Sequence, residues 1–167
     1  NGMDPDTQLG PLTTQKRLNE VEALVEKTKQ EGAKVLLGGK RPAGFNKGFF
    51  YEPTIFDEVK DDFTIMKEEP FGPLVPMLSF KSFDEVIERA NNHELGLCSY
   101  VCTKSMETAH LASEQLETGS VAVNTGFVAI AEAPFGGIKQ SGYGREGGSM
   151  AIKDYLNVKY THLGIKG

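Results

Sequence analysis

Two adjacent glutamates, Glu68 and Glu69, stand directly before Pro70, Phe71 and Gly72 and form the first candidate site. An ionised carboxylate only accepts hydrogen bonds, which suits it to holding the two hydroxyl groups of a ribose. A neighbouring aromatic ring such as Phe71 can pack against a flat ring of a ligand. An acidic pair before a proline is also typical of a solvated surface turn. The residues alone leave both interpretations open.

The second candidate is the segment 133–148, APFGGIKQSGYGREGG, which holds six of the chain's nineteen glycines. Because glycine loses more backbone entropy on folding than other residues, such a cluster indicates positive φ angles or a close approach of another group. Long loops in compact domains are often functional, although an ordinary surface loop has the same composition. We interpret Lys139, Arg145 and Glu146 as structural groups that fix this loop through hydrogen bonds to the backbone and to each other.

The two cysteines, Cys98 and Cys102, are predicted to be neither nucleophiles nor a disulfide. On a strand they would lie about 13 Å apart at ~3.3 Å per residue, beyond the ~7 Å Cα separation that a disulfide allows. We expect small buried apolar residues and a reducing, cytoplasmic location. The three histidines, His93, His110 and His162, lack the spacing of metal ligands, so no metal site is predicted.

Length and composition fit one globular domain with a sizeable core. The chain has 167 residues, of which 39% are apolar and 25% charged. Its net charge is −5 and no basic stripe occurs, so nucleic acid is not an expected partner. No apolar run approaches the roughly twenty residues that cross a bilayer, so no membrane association is predicted either.

The elements that must position these residues follow from hydrophobic periodicity and capping signals. A 3.6-residue apolar period predicts a helix over 14–31. The capping box that begins at Ser82 starts a second helix, and Ser105 starts a third. Strand and helix alternate from 74 to 124, which predicts an α/β fold with a mainly parallel sheet and flanking helices. Strands are predicted at 34–37, 49–56, 74–80, 98–103, 120–124 and 157–162, and a short helix at 149–156.

Two motifs, EEPFGP at 68–73 and PFGGIKQSGYGRE at 134–146, resemble signatures of the aldehyde dehydrogenase superfamily in the family's order and separation. The resemblance extends from Leu9 to the last residues and is strongest to succinate-semialdehyde dehydrogenases. It implies that residues 1–154 are the C-terminal part of the catalytic domain. It also implies that residues 155–167 are an oligomerisation strand or tail, and that the protein forms a homo-oligomer.

The resemblance also implies the roles of five residues. In this family Glu69 would bind the nicotinamide ribose of NAD or NADP, and Phe71 would contact the nicotinamide region. Phe127, Ala129 and Phe135 would line the tunnel for a small-molecule aldehyde, which is expected to be succinate semialdehyde or a related semialdehyde. Succinate-semialdehyde dehydrogenases commonly have a serine at the Ala129 position that helps to hold the substrate's remote carboxylate, and alanine cannot donate that hydrogen bond.

The family's chemistry needs a cysteine nucleophile, a water-activating glutamate and a dinucleotide-binding half, all upstream of the region that this chain matches. No G-x-G-x-x-G fingerprint follows a strand here. We therefore predict no catalytic residue within this chain and no activity for it alone. The opening without Met favours a chain cut from a longer protein, although a processed or tagged terminus would look the same. A non-catalytic nucleotide-binding module and an assembly element are the alternative functions.

Overall fold

The computed structural model describes residues 1–45 and 47–165, and it confirms the α/β class. The chain divides into two compact units, Asn1–Ser79 and Phe80–Gly167. The strands within the described residues form three small sheets, one of three strands and two of two strands. Within the described residues, no helix is both long and apolar enough to cross a membrane.

The first unit is a three-stranded sheet with two helices. Strands β1 and β2 are antiparallel, and β2 and β3 are parallel. The connection from β1 to β2 contains no helix, and a parallel pairing needs a long crossover, so the chain returns antiparallel at this point. The elements in chain order are α1 (Gln15–Gln30), β1 (Lys34–Leu37), β2 (Thr54–Asp57), α2 (Thr64–Lys67) and β3 (Leu74–Pro76).

Helix α1 provides one side of the core of this unit. Its buried residues, Leu18, Val21, Val25 and Thr28, recur at the predicted helical spacing. Leu18, Val21 and Val25 pack with Phe56 of β2, which is completely buried, in one apolar cluster. Burial of the apolar side chains of this cluster is the main favourable contribution to the free energy of folding of the unit.

The second unit contains the predicted βαβ crossover. Strands β5 and β6 pair in parallel through helix α4, and β4 pairs antiparallel with β7. The predicted capping serines are confirmed, because Ser82 accepts a hydrogen bond from the Glu85 amide and Ser105 accepts one from the Thr108 amide. The elements in chain order are α3 (Phe83–Asn91), β4 (Leu95–Gly96), β5 (Cys98–Val101), α4 (Met106–Gln115), β6 (Ser120–Val123), β7 (Ile138–Lys139) and a 3₁₀ helix (Ala151–Tyr155).

Several strands are shorter than predicted, and one is not formed. The segment predicted as a strand over 49–56 is in a strand only from Thr54, and the one over 74–80 ends at Pro76. Residues 157–162 form no strand, because a strand needs a partner for its backbone hydrogen bonds and none pairs with these residues in the part of the chain that the structure describes. Residues 166–167 of the predicted tail lie outside the described residues.

Lys139 connects three parts of the second unit. Its Nζ donates to the carbonyl oxygens of Asn91 at 2.8 Å and His93 at 3.2 Å, and it lies 2.7 Å from Glu117 Oε2. The Asn91 side chain donates to the Gln115 carbonyl and accepts from the Glu117 amide. These bonds join the C-terminal ends of α3 and α4 to β7.

We predict that Lys139→Met lowers the free energy of unfolding by about 1–3 kcal/mol, because three acceptors lose a charged donor. Lys104→Met is the matched control, since Lys104 is exposed in the loop before α4. Urea denaturation followed by far-ultraviolet circular dichroism measures both variants. Equal stabilities of the two variants would show that the Lys139 contacts contribute nothing.

Candidate functional site

The residues Glu69 and Phe71 lie in a tight turn that follows helix α2. The Phe71 amide donates to the Glu69 carbonyl at 3.1 Å, and the Gly72 amide donates to the Pro70 carbonyl. Two successive short turns project the side chains of the motif away from the core. Glu69 is exposed, and the Phe71 side chain is 63% exposed.

The turn lies against helix α1 and forms one wall of a cavity of about 340 Å³. The opposite wall comes from one face of α1. The cavity therefore brings together two segments that are about fifty residues apart in the sequence. Its lining consists of Arg17, Glu20, Val21 and Leu24 from α1, and of Glu68, Glu69, Pro70 and Phe71 from the turn.

Arg17 orients the aromatic ring of the motif. Its guanidinium carbon lies 5.5 Å from the centroid of the Phe71 ring, which is within the range of a cation–π interaction. A salt bridge of 2.9 Å from Arg17 Nη1 to Glu20 Oε2 holds the guanidinium in place. Sequence reasoning missed both α1 residues, because nothing in their local spacing connects them with the turn.

The Glu69 carboxylate has no hydrogen bond or ion pair with another residue in the described part of the chain. Its acceptor oxygens are therefore available at the edge of a cavity that has an aromatic wall. This arrangement fits a ribose bearing a flat heterocycle, since the hydroxyls can donate to the carboxylate while the heterocycle packs near Phe71. Among the described residues, no group of His, Cys, Asp or Glu side chains could hold a metal ion.

The glycine of the motif is required by packing. A Cβ atom built on Gly72 would lie 2.6 Å from Cγ2 of Val21 in α1, much closer than real Cβ atoms approach. The absence of a side chain at this position lets the turn approach the helix. The spacing of the motif gave no indication of this contact, because Val21 lies about fifty positions earlier in the sequence.

The three predicted tunnel residues are in the second unit. Phe127 is 83% exposed and Ala129 is exposed, both in the segment after β6. Phe135 is half-buried, and its backbone exchanges two hydrogen bonds of 2.7 Å with Glu146. It lines a cavity of about 320 Å³ whose other lining residues come mostly from the glycine-rich loop.

The two cations of the glycine-rich loop, Lys139 and Arg145, bond mainly to backbone, whereas the predicted side-chain bonds among Lys139, Arg145 and Glu146 are not found in the described residues. Arg145 Nη1 donates to the carbonyls of Gly137 at 2.9 Å and Gly144 at 2.7 Å, and the Arg145 amide donates to Asp154. Together with the contacts of Lys139, these bonds support the structural interpretation of both cations. A close approach also explains one glycine pair, because a Cβ on Gly119 would collide with the Gly136 carbonyl oxygen.

The cysteines differ from the prediction that both are buried. Cys98 is half-buried on β5, whereas Cys102 is exposed because β5 ends at Val101. The Cys98 Sγ and the Tyr100 hydroxyl are hydrogen-bonded at 3.6 Å, and this contact with the sulfur raises the pKa of Tyr100. Both thiols are free.

Comparisons with known proteins agree over nearly the whole chain. The sequence profile of the aldehyde dehydrogenase family matches residues 1–161. A mitochondrial succinate-semialdehyde dehydrogenase from Oryza sativa subsp. japonica is 41% identical over 98% of this chain. A betaine aldehyde dehydrogenase from Brucella anthropi is 43% identical over 96% of it. The solved structure of an NAD⁺ complex of aldehyde dehydrogenase from Bacillus cereus matches 99% of the chain with a TM-score of 0.93 and 47% identity.

The chain spans only part of these proteins: 31% and 34% of the two sequence relatives and 33% of the Bacillus cereus chain. The resemblance indicated by the two motifs is confirmed by a match that includes both of them. The chain belongs to the aldehyde dehydrogenase family.

Proposed function

We propose that this chain forms part of an NAD(P)-dependent aldehyde dehydrogenase and supplies one side of the site for the nicotinamide half of the cofactor. The observation that carries this proposal is the Glu69 carboxylate, which has no partner among the described residues and lies at the cavity between α1 and the turn. The bound cofactor would accept a hydride from the substrate during oxidation of the aldehyde to the acid. The NAD⁺ complex of the Bacillus cereus relative supports this choice of cofactor.

Each residue of this site has a role that follows from its geometry. Glu69 accepts hydrogen bonds from the ribose hydroxyls and so fixes the position of the sugar. Phe71 limits the movement of the attached heterocycle, and Arg17 keeps the Phe71 ring in one orientation. Positioning of this kind accelerates a reaction, because the entropy cost of aligning the reacting atoms is met when the cofactor binds.

We propose further that Phe127, Ala129 and Phe135 form one wall of the substrate site for a semialdehyde. The 83% exposed Phe127 ring supports this, because it offers an apolar surface to the hydrocarbon part of such a substrate. The succinate-semialdehyde dehydrogenase among the relatives supports the choice of substrate class. Ala129 gives the wall no hydrogen-bond donor, so a remote carboxylate would be held by other groups.

The C-terminal segment has the composition of an assembly element. Exposed apolar side chains recur along the described part of the tail, at Leu156, Val158, Tyr160 and Leu163. An unpaired extended segment with such side chains is an aggregation hazard unless it pairs with another chain. We propose that residues 155–165 pair with a second copy of this protein in a homo-oligomer.

In the complete enzyme that contains this chain, Glu69→Gln should weaken productive positioning of the cofactor, raising its KM and lowering kcat by an amount equivalent to about 1–3 kcal/mol, because a charged acceptor of the ribose hydroxyls is lost. Glu68→Gln is the matched control, since Glu68 also lines the cavity but has no proposed bond to the ribose. Steady-state kinetics with varied NAD⁺ and NADP⁺ measure both variants. Equal effects of the two substitutions, or no effect of either, would contradict the assignment.

Ala129→Ser should raise kcat/KM for succinate semialdehyde relative to an uncharged aldehyde of similar length. The added hydroxyl can donate to a carboxylate, and a site that hydrogen-bonds a substrate group discriminates strongly in its favour. The ratio of the two kcat/KM values is the measurement. A ratio that is unchanged or lower would show that position 129 does not face the carboxylate.

Deletion of residues 155–167 should lower the oligomeric state of the complete enzyme, because the proposed pairing segment is removed. Light scattering coupled to size-exclusion chromatography gives the mass of the assembly. A milder variant, Val158→Lys with Tyr160→Lys, retains the backbone and places charges on the proposed interface. An assembly of unchanged mass in both variants would refute the role of the tail.

A further inference from the structure

Helix α2, which leads directly into the Glu69 turn, has no capping side chain of its own. It is four residues long, and its N-cap residue is Phe63, which offers no hydrogen-bond acceptor in its side chain. So short a helix is not stable by itself, because the entropy lost in ordering its first turn exceeds the stabilisation from the hydrogen bonds of that turn. Its position must therefore be fixed by contacts from elsewhere in the fold.

Glu31, at the C-terminal end of α1, supplies the missing cap. Its Oε2 accepts from the Thr64 amide at 2.9 Å, and its Oε1 accepts from the Thr64 hydroxyl at 2.6 Å. Both carboxylate oxygens of Glu31 thus accept hydrogen bonds from Thr64, which lies 33 positions later in the sequence. Bonds from a charged acceptor are shorter and stronger than those between neutral groups.

The environment of Glu31 agrees with a fixed carboxylate. The side chain is 20% exposed, and a salt bridge joins it to Lys27, with the two charged atoms 3.9 Å apart. The hydrogen bond from the Thr64 side chain is the largest of the effects that lower the pKa of Glu31. The carboxylate is therefore ionised at neutral pH and remains available as a double acceptor.

The segment 64–72 is held on α1 at both ends. At its start, Glu31 binds Thr64, and at its end, Gly72 lies against Val21 without room for a Cβ atom. Between these points the backbone is continuous through α2, where the Glu68 amide donates to the Thr64 carbonyl at 3.0 Å. Glu69 follows directly and has no side-chain anchor of its own, so its position depends on the two ends.

We propose that Glu31 is a positioning residue for Glu69 and acts through helix α2. This inference rests on the proposed function, in which Glu69 binds the cofactor ribose. Glu31 itself touches no cofactor atom. It fixes the start of the segment 64–72, so that the Glu69 carboxylate is already in position to accept hydrogen bonds from the ribose hydroxyls when the cofactor binds.

The test uses the complete enzyme with Glu31→Ala, Glu69→Gln and the double variant. Glu31→Ala should raise KM for the cofactor about three- to tenfold, the effect of losing one or two hydrogen bonds. KM for the aldehyde should change less than twofold. In the Glu69→Gln background, Glu31→Ala should have little further effect on the cofactor KM, because two residues that act through one contact are not additive.

Two further variants separate positioning from general destabilisation. Glu31→Gln keeps one acceptor oxygen and should give an intermediate cofactor KM, and it serves as the test if Glu31→Ala does not fold. Glu26→Gln is the matched control, because Glu26 lies on the same helix and its salt bridge is to Lys29, which also belongs to α1. Hydrogen exchange should become faster in residues 64–72 of the Glu31 variants and remain unchanged in Glu26→Gln.

The possible results distinguish this inference from the proposed function. If Glu69→Gln itself has no effect on the cofactor, the proposed ribose site is wrong. If Glu69→Gln has its effect but Glu31→Ala leaves the cofactor KM unchanged, the positioning role is wrong. A fully additive double variant, or an equal rise in the KM values of both substrates, also overturns the positioning role.

Discussion

The close packing of helix α1 against its neighbours is the constraint on which the first unit depends. The buried stripe of α1 meets the completely buried Phe56 on one side, and Val21 meets Gly72 of the motif on another. One helix therefore organises both the core and the candidate cofactor site. Protein interiors are packed as densely as organic crystals. A change of even one methyl group in the volume of the buried α1 side chains would therefore shift the turn that carries Glu69.

The second unit is stabilised in a different way. It has few fully buried side chains, of which Ala112 and Ala122 are the apolar ones identified in the described residues. Its loops are instead fixed by charged groups that bond to backbone carbonyls, with Lys139 and Arg145 as the main examples. Such bonds order a long glycine-rich segment that has too few apolar side chains to form a core. The Oryza sativa relative is about three times as long as this chain, which supports the proposal that both units are parts of a larger enzyme.

The candidate cofactor site combines an unpartnered carboxylate with a well-supported backbone. Glu69 has no bond to a described side chain, yet the residues on either side of it are anchored to α1. A binding group of this kind keeps its acceptor oxygens for the ligand and avoids the cost of breaking an internal bond on binding. Because the backbone on either side of Glu69 is anchored, the carboxylate needs no internal hydrogen bond to stay in position, and its charge remains available to a ligand.

Features that depend on the chemistry of neighbouring residues could be predicted from the sequence. Capping side chains and apolar periods predicted helices α1, α3 and α4, and the motif around Glu69 and Phe71 indicated the family. The short helix α2 was not predicted, because it begins after Phe63 with no capping side chain of its own. Only the tertiary structure showed that Arg17 lies over the Phe71 ring, that Glu31 caps α2, and that residues 157–162 pair with no described strand of the chain. Contacts such as these join residues tens of positions apart. They arise from the packing of whole elements against each other, which no spacing within a single element records.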